Sequence, residues 1–307
     1  MINKKTLSKL GIGAWGVGGF AEKDPDNNDE RQIKAIAYSL EKGMNWIEVN
    51  FWNSEGYSVE LIKKAIKQAG ISRKDYFIVQ VIYDYNLETI EDINKEFELC
   101  LEKLETDYID TLEFPLPAFR KYGFNNLVKL VEKYLTDKKI RYTSLTNCNL
   151  DYLKKYHQIF KDKLFSHELC YSFETRENEI FGITDYALKH NIINTPYQPL
   201  RRNRTAQRNW PVLVELSKKY NKTQNQIIIN WLVSKGFYPL IKSETINHID
   251  ENLAALNFKI KESDLNKLNN FKIPGYKIPK IDWWMVGDGV KTHMLPNVFD
   301  DNYPKNK

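Results

Sequence analysis

At 307 residues the chain is about twice a ~150-residue domain, so its length allows two domains or one large one. With 42% hydrophobic and 28% charged residues it has an ordinary globular composition, which excludes wholesale disorder. The 45 basic and 40 acidic side chains leave a net charge of +5, too mild to demand nucleic acid.

In chain order, short β-rich segments alternate with amphipathic helical patterns. The predicted strands are Leu10–Ala14, Asn45–Val49, Tyr76–Ile82, Tyr108–Phe114, Ile140–Thr146, Phe165–Cys170, Ile192–Tyr197 and Phe237–Ile241. Helical spacing runs through Glu30–Lys42, Val59–Ala69, Thr89–Leu104, Phe124–Leu135, Asn149–Phe160, Ile183–His190, Trp210–Tyr220 and Thr223–Ser234. Gly43, Gly70 and Gly236 supply stop signals, and Ser58 and Asn149 supply polar caps. Strands alternating with helices predict a parallel sheet. An open doubly wound sheet and a closed barrel both fit, and the strand count and spacing favour an α/β fold of the (β/α)8 TIM-barrel type over about residues 7–270. No Pro/Gly/Ser linker divides the chain, so residues 1–307 read as a single domain.

No apolar run approaches the ~18 residues of a membrane span. Basic residues near the start have no apolar segment behind them, so no secretory leader is expected. Cys100, Cys148 and Cys170 are scattered without a C-x-x-C spacing, which argues against a disulfide framework or a zinc site. A reducing cytoplasm is the expected compartment.

Gly11-Ile-Gly13-Ala-Trp-Gly16 spells G-x-G-x-x-G behind a strand. The dinucleotide fingerprint needs a helix opening within that loop, so that its N-terminus meets the pyrophosphate, and an acid ~20 residues on. Here Gly18, Gly19 and an acidic, Asn-rich stretch from Glu22 to Asp29 intervene, and Glu48 lies too far along. The segment reads as a strand followed by a loop.

The strand ends are more specific. Leu10-Gly-Ile-Gly-Ala-Trp15, Lys42-Gly-Met-Asn-Trp-Ile-Glu48, Thr106-Asp-Tyr-Ile-Asp110 and Lys139-Ile-Arg-Tyr-Thr-Ser-Leu-Thr-Asn147 follow one another in order. Pro196-Tyr-Gln-Pro-Leu200 and the stretch from Ile241 to Asn252 complete the series. Together they resemble the aldo-keto reductases, NADP(H)-dependent barrel enzymes whose catalytic tetrad is Asp, Tyr, Lys and His. An ungapped match places Glu48 at the Asp position, Asn53 at the Tyr position, Val81 at the Lys position and Pro115 at the His position. The resemblance implies a divergent member without the usual proton machinery. On the cofactor side it implies that Thr146 and Asn147 meet the carboxamide and that Tyr197 lies under the nicotinamide ring. Glu168 stands where a carboxamide side chain is usual. Lys242 and Ser243 match the ligands of the 2′-phosphate, His248 replaces an arginine there, and Glu251 and Asn252 match adenine contacts. NADP(H), held with a weakened grip, is the implied cofactor.

Strand alternation puts Thr111, Glu113 and Pro115 on one face, so Glu113 points into the barrel if Pro115 replaces an inward histidine. Glu48 points the same way by the match. Two carboxylates at one mouth without a lysine cannot both ionise cheaply, so one is expected to hold a proton near neutral pH. Tyr57 offers a phenol on the loop after Glu48. Trp15, Asn50, Trp52 and Asn53 are expected to rim a pocket for a hydroxylated ligand. Arg201, Arg202, Arg204 and Arg208 crowd eight residues with nothing acidic between them, which suggests a phosphate cradle after the seventh strand. Neighbours on a strand face opposite ways, so only one of His167 and Glu168 can meet the pocket. The aromatic tail, with Trp283 and Trp284, is expected to form a C-terminal loop extension (271–307) over the barrel mouth.

These readings predict an oxidoreductase acting on a carbonyl or hydroxyl of a sugar-like or phosphorylated small molecule, with Glu48 and Glu113 handling protons. Two alternatives stand beside it. One is a catalytically silent barrel that binds NADP(H) or another ligand, and the other is a non-redox hydrolase or lyase using the glutamates as an acid–base pair. No nucleic acid, membrane or metal partner is expected.

Overall fold

The computed structural model describes residues 2–83 and 87–274. Its strands are β1 (Gly11–Ile12), β2 (Trp46–Val49), β3 (Phe77–Val81), β4 (Ile109–Pro115), β5 (Ile140–Thr146), β6 (Leu164–Cys170), β7 (Ile193–Tyr197) and β8 (Leu240–Ile241). They form one sheet in the order β7-β6-β5-β4-β3-β2-β1-β8, every pairing parallel. Tyr238 N–H donates to the Asn194 carbonyl at 2.9 Å, tying the segment before β8 to β7 and closing the ring. This is the (β/α)8 barrel that the alternation predicts.

β1 and β8 are shorter than predicted. After β1 the chain leaves the barrel through Gly16 and Gly18, both at positive φ, where a residue with a Cβ is strained. Gly11 matters for a different reason. A Cβ there would lie 2.2 Å from the Trp46 indole, which is 1% exposed and donates its N–H to the Ser8 carbonyl. Helices take their local signals from side-chain caps. Thr89 and Asp92 form a reciprocal capping box at the start of helix Ile90–Leu104, and Thr223 and Gln226 do the same for Gln224–Ser234.

Register decides which side chains fill the barrel. Glu48 pairs with Val79, Val79 with Thr111, and Val81 with Glu113, so these residues share one face. Trp46, Phe77, Val79, Val81, Tyr83, Phe165, Ile193 and Leu240 form an apolar cluster there, the packed interior of the barrel. Hydroxyls link Thr111 to Ser144 (2.8 Å) and Ser144 to Ser166 (2.7 Å) across the same interior. Leu112, Phe114 and Leu145 face the other way and join the larger core under the helices. At the amino end, buried Asp110 is bound by Arg73 and Arg141 and accepts the Ile78 N–H at 2.9 Å. The acids of interest therefore sit toward the carboxyl ends of the strands, where barrel loops gather.

Candidate active site

Glu48, Glu113 and Glu168 rise from β2, β4 and β6 into the barrel, 7%, 1% and 3% exposed. Among the described residues none of them is in an ion pair. Asn50 Nδ2 donates to Glu48 Oε1 at 3.3 Å, whereas neither Glu113 oxygen has a hydrogen-bond partner among the described residues. Burial pushes the Glu48 carboxyl up to about 7, against the pull of the Asn50 hydrogen bond. Burial also raises Glu113 and Glu168 well above the carboxylate range, and the charges of the other acids add to it. Glu48 and Glu168 line a cleft of about 1150 Å³, together with Trp15, Tyr83 and Tyr197, and Glu113 lies buried behind them. His167 takes the opposite face of β6, where its Nε2 accepts the Cys148 N–H at 3.0 Å and burial drives its pKa down to about 3. No group of three or more His, Cys, Asp or Glu among the described residues is placed to hold a metal.

The cleft continues past Gln198–Asn203 to the loop after β8, where Lys242, Ser243, Glu244, His248, Glu251 and Asn252 line it. Asn252 Nδ2 donates to Ser243 Oγ at 2.9 Å, which leaves the Ser243 hydroxyl proton to give. Helix Ile246–Ala254 begins here behind Thr245, whose side chain caps it. Lys242 Nζ donates to the Gly16 carbonyl (3.0 Å) and pairs with Glu244 (2.8 Å).

The pattern that defines the aldo/keto reductase family matches residues 9–273. This chain belongs to that family. It is similar to 9,11-endoperoxide prostaglandin H2 reductase of Trypanosoma cruzi, 25% identical over 271 residues, covering 87% of this chain and 88% of the relative. An uncharacterized oxidoreductase of Bacillus subtilis, YtbE, is 24% identical over 238 residues, with 77% and 82% covered. Among solved structures, the thermostable aldo-keto reductase Tm1743 with the inhibitor epalrestat superposes with TM-score 0.78 at 26% identity, covering 85% of this chain and 94% of that one. An aldo/keto reductase from Klebsiella pneumoniae in complex with NADP and acetate shares the fold at TM-score 0.73 and 19% identity, with 86% and 90% covered.

In this aldo/keto reductase the loop after β2 is built differently from the expected rim. Asn50 and Asn53 are fully buried. Asn50 Oδ1 accepts the Asn53 N–H at 2.9 Å, and Asn53 Nδ2 donates to the Ala14 carbonyl at 3.1 Å. Both amides brace the loop and neither lines the cleft. Tyr57 turns away onto helix Tyr57–Ala69, where its hydroxyl donates to Asp29, chiefly raising its pKa to about 12. A phenol held this way is a poor proton donor at neutral pH. Trp52 stacks on Trp15 with ring centroids 5.2 Å apart, and Trp15 is the one of the pair that faces the cleft. Val81 belongs to the barrel's apolar filling.

Thr146 and Asn147 are buried at the end of β5. Asn147 Oδ1 accepts from the Tyr197 hydroxyl (3.2 Å) and the Cys170 N–H (3.4 Å), so its oxygen is spent within the protein. The arginine cluster needs a larger correction, because an acid distant in sequence takes up two of its four members. Glu174, 2% exposed, receives Arg201, Arg208 (3.0 Å) and the Thr205 hydroxyl (3.1 Å) on one oxygen and the Trp210 N–H (2.6 Å) on the other. Arg201 and Arg208 thus knit the loop after β7 to the loop after β6. Arg202 is exposed at the cleft, its guanidinium 6.0 Å from the Phe20 ring. Trp283, Trp284 and the proposed extension beyond residue 274 lie outside the described residues.

Tyr83 and Glu244 line the cleft without having been singled out from the sequence. Tyr83 was legible there, since Phe77, Val79, Val81 and Tyr83 keep the two-residue period of an inward face.

Proposed function

We propose that this chain is an NADP(H)-dependent oxidoreductase acting on a carbonyl or hydroxyl of a sugar-like or phosphorylated small molecule, with Glu48 giving or taking the proton. The observation that carries this reading is a cleft floored by Glu48 and Glu168, with Glu113 buried behind them and no described cation paired to the three. Carboxylates so placed cannot all ionise. Burial raises Glu48 only to about 7, so it can both hold and release a proton near neutrality, where a general acid works best. NADP(H), when bound, supplies or accepts the hydride. For the other end of such a cofactor the chain offers Lys242, the Ser243 hydroxyl, Arg202 and the start of helix Ile246–Ala254, a donor set suited to phosphate. Tyr197 gives an aromatic face beside Glu168, and Thr146 Oγ1 is buried at the strand end with no hydrogen-bond partner among the described residues. The cleft exceeds the ~300–1,000 Å³ of ordinary small-ligand sites, which suits a dinucleotide together with a substrate. The NADP complex of the Klebsiella pneumoniae relative supports the choice of cofactor. The stacked Trp15–Trp52 pair gives an apolar wall for the faces of a polyhydroxylated substrate. Free Cys100, Cys148 and Cys170 suit a reducing cytoplasm.

A silent binding barrel is the second reading, favoured by Asn53, which at the family's Tyr position is buried and tied to backbone. Titrating the protein with NADPH while following quenching of its seven tryptophans separates the two. Consumption of NADPH is then read over a panel of aldoses, ketoses and sugar phosphates. Saturable quenching with consumption is the expected result. Quenching without turnover favours the silent barrel, and absent quenching with cleavage of a glycoside or phospho-sugar favours acid–base chemistry.

A further inference from the structure

The cationic end of the cleft contains its own anion. Glu244 stands between the loop after β8 and helix Asp29–Glu41, and both of its oxygens are engaged. Oε1 pairs with Lys242 Nζ at 2.8 Å and accepts from Gln32 Nε2 at 3.1 Å, and Oε2 pairs with Arg31. Gln32 Nε2 also donates to the Gly16 carbonyl (3.1 Å), which Lys242 reaches too, so one network spans the front loop, the helix and the β8 loop. Burial works against the Glu244 charge, but Lys242, Gln32 and Arg31 outweigh it and hold the carboxyl down to about 2. Lys242, Glu244 and Arg31 all line the cleft.

We propose that Glu244 is a resident counter-ion that takes up Lys242 and Arg31 and thereby sets how strongly this chain prefers a dinucleotide bearing a 2′-phosphate over one lacking it. The inference rests on the dinucleotide reading above. A phosphomonoester carries about −1.5 to −2 charges near pH 7 and seeks the same donors that Glu244 holds. It must displace the carboxylate or sit beside it against like-charge repulsion. A free ribose 2′-hydroxyl carries no charge and can donate to Glu244 instead. Glu244 thus weakens the grip on a 2′-phosphate and favours a free hydroxyl, the repulsive element that specificity often needs.

The test compares wild type with Glu244→Gln and Glu244→Ala by tryptophan quenching and calorimetry. Ligands are NADPH, NADH, and two probes of the adenosine end alone, adenosine 2′,5′-bisphosphate and adenosine 5′-monophosphate. Both variants are expected to raise the NADPH-over-NADH preference at least about tenfold, which is about 1.4 kcal/mol. The gain should come from tighter NADPH and bisphosphate, with NADH changed less than about threefold. Should Glu244→Ala lose its fold, the isosteric Gln variant decides. Binding with an unmoved preference overturns the role of Glu244 alone. If none of the four ligands binds either protein, the dinucleotide reading falls and takes this inference with it.

Discussion

Glu48 and Glu113 project from β2 and β4 onto one inner face of the barrel, with Val79 and Val81 of β3 between them, and of the two Glu48 alone opens to the cleft. Glu113 is 1% exposed, and neither of its oxygens has a hydrogen-bond partner among the described residues. Ionising Glu48 makes Glu113 harder still to ionise, so the buried acid stays protonated while Glu48, the one that can reach a substrate, titrates first.

Glu48→Gln is expected to lower NADPH-consuming turnover by ~10²–10⁴-fold, the usual worth of a placed proton donor, with NADPH affinity changed less than about threefold. Glu113→Gln replaces a carboxyl that is still protonated, and so neutral, where Glu48 titrates. The alkaline limb of the pH–rate profile, set by burial of Glu48, should then stay where it is in wild type. Full turnover in Glu48→Gln would remove this residue from the chemistry.

Stability should fall as pH rises through the range between the ordinary carboxyl value and the raised one. Glu48 goes from 4.5 in the unfolded chain to about 7 in the fold, so the folded state holds a proton that the unfolded chain releases. Below ~4.5 that stabilisation is complete, and each such carboxyl loses about 1.4 kcal/mol per pH unit as pH climbs through the window. Glu113 and Glu168, raised for the same reasons, extend the loss upward. Glu244, held low, acts in the opposite sense and only at acid pH. Urea melts at pH 5 and pH 7 should show a smaller difference for Glu48→Gln than for wild type.

The arginine loop divides into structural and ligand-facing members. Glu174→Ala removes the buried carboxylate that Arg201 and Arg208 share and should cost about 3–5 kcal/mol in denaturant unfolding. Arg202→Ala should change stability by no more than ~0.5 kcal/mol, because the residue is exposed, while weakening NADPH. Equal destabilisation by the two variants would contradict the division.

The barrel was legible because its signals are local. Alternation placed Glu113 with Thr111 on the inner face, and Asn149 and the glycines marked helix ends, whereas Ser58 lies inside its helix, which begins at Tyr57 behind Gly56. What escaped depends on partners distant in sequence. Glu174 lies 27 residues before Arg201, and Arg31 lies 213 residues before Glu244, so no local window joins either pair. Asn53 and Tyr57 read as rim residues because a loop's sequence does not say which side chains brace it. Glu168 read as a cofactor contact because the resemblance places it where a carboxamide side chain is usual, and its parity on β6 was not fixed by sequence, since the pairing of β5 with β6 carries an irregularity that shifts the register. Only the closed ring shows it to be a third acid.

Carbon-13 NMR of glutamate side-chain carboxyls, followed from pH 4 to 9 in wild type and in Glu48→Gln, tests the shared-proton floor most directly. We predict a resonance that titrates near pH 7 in wild type and is missing from the variant. If every glutamate carboxyl instead titrates between about pH 3 and 5, in the range of solvated carboxylates, no acid at the cleft holds a proton at neutrality and the account is wrong.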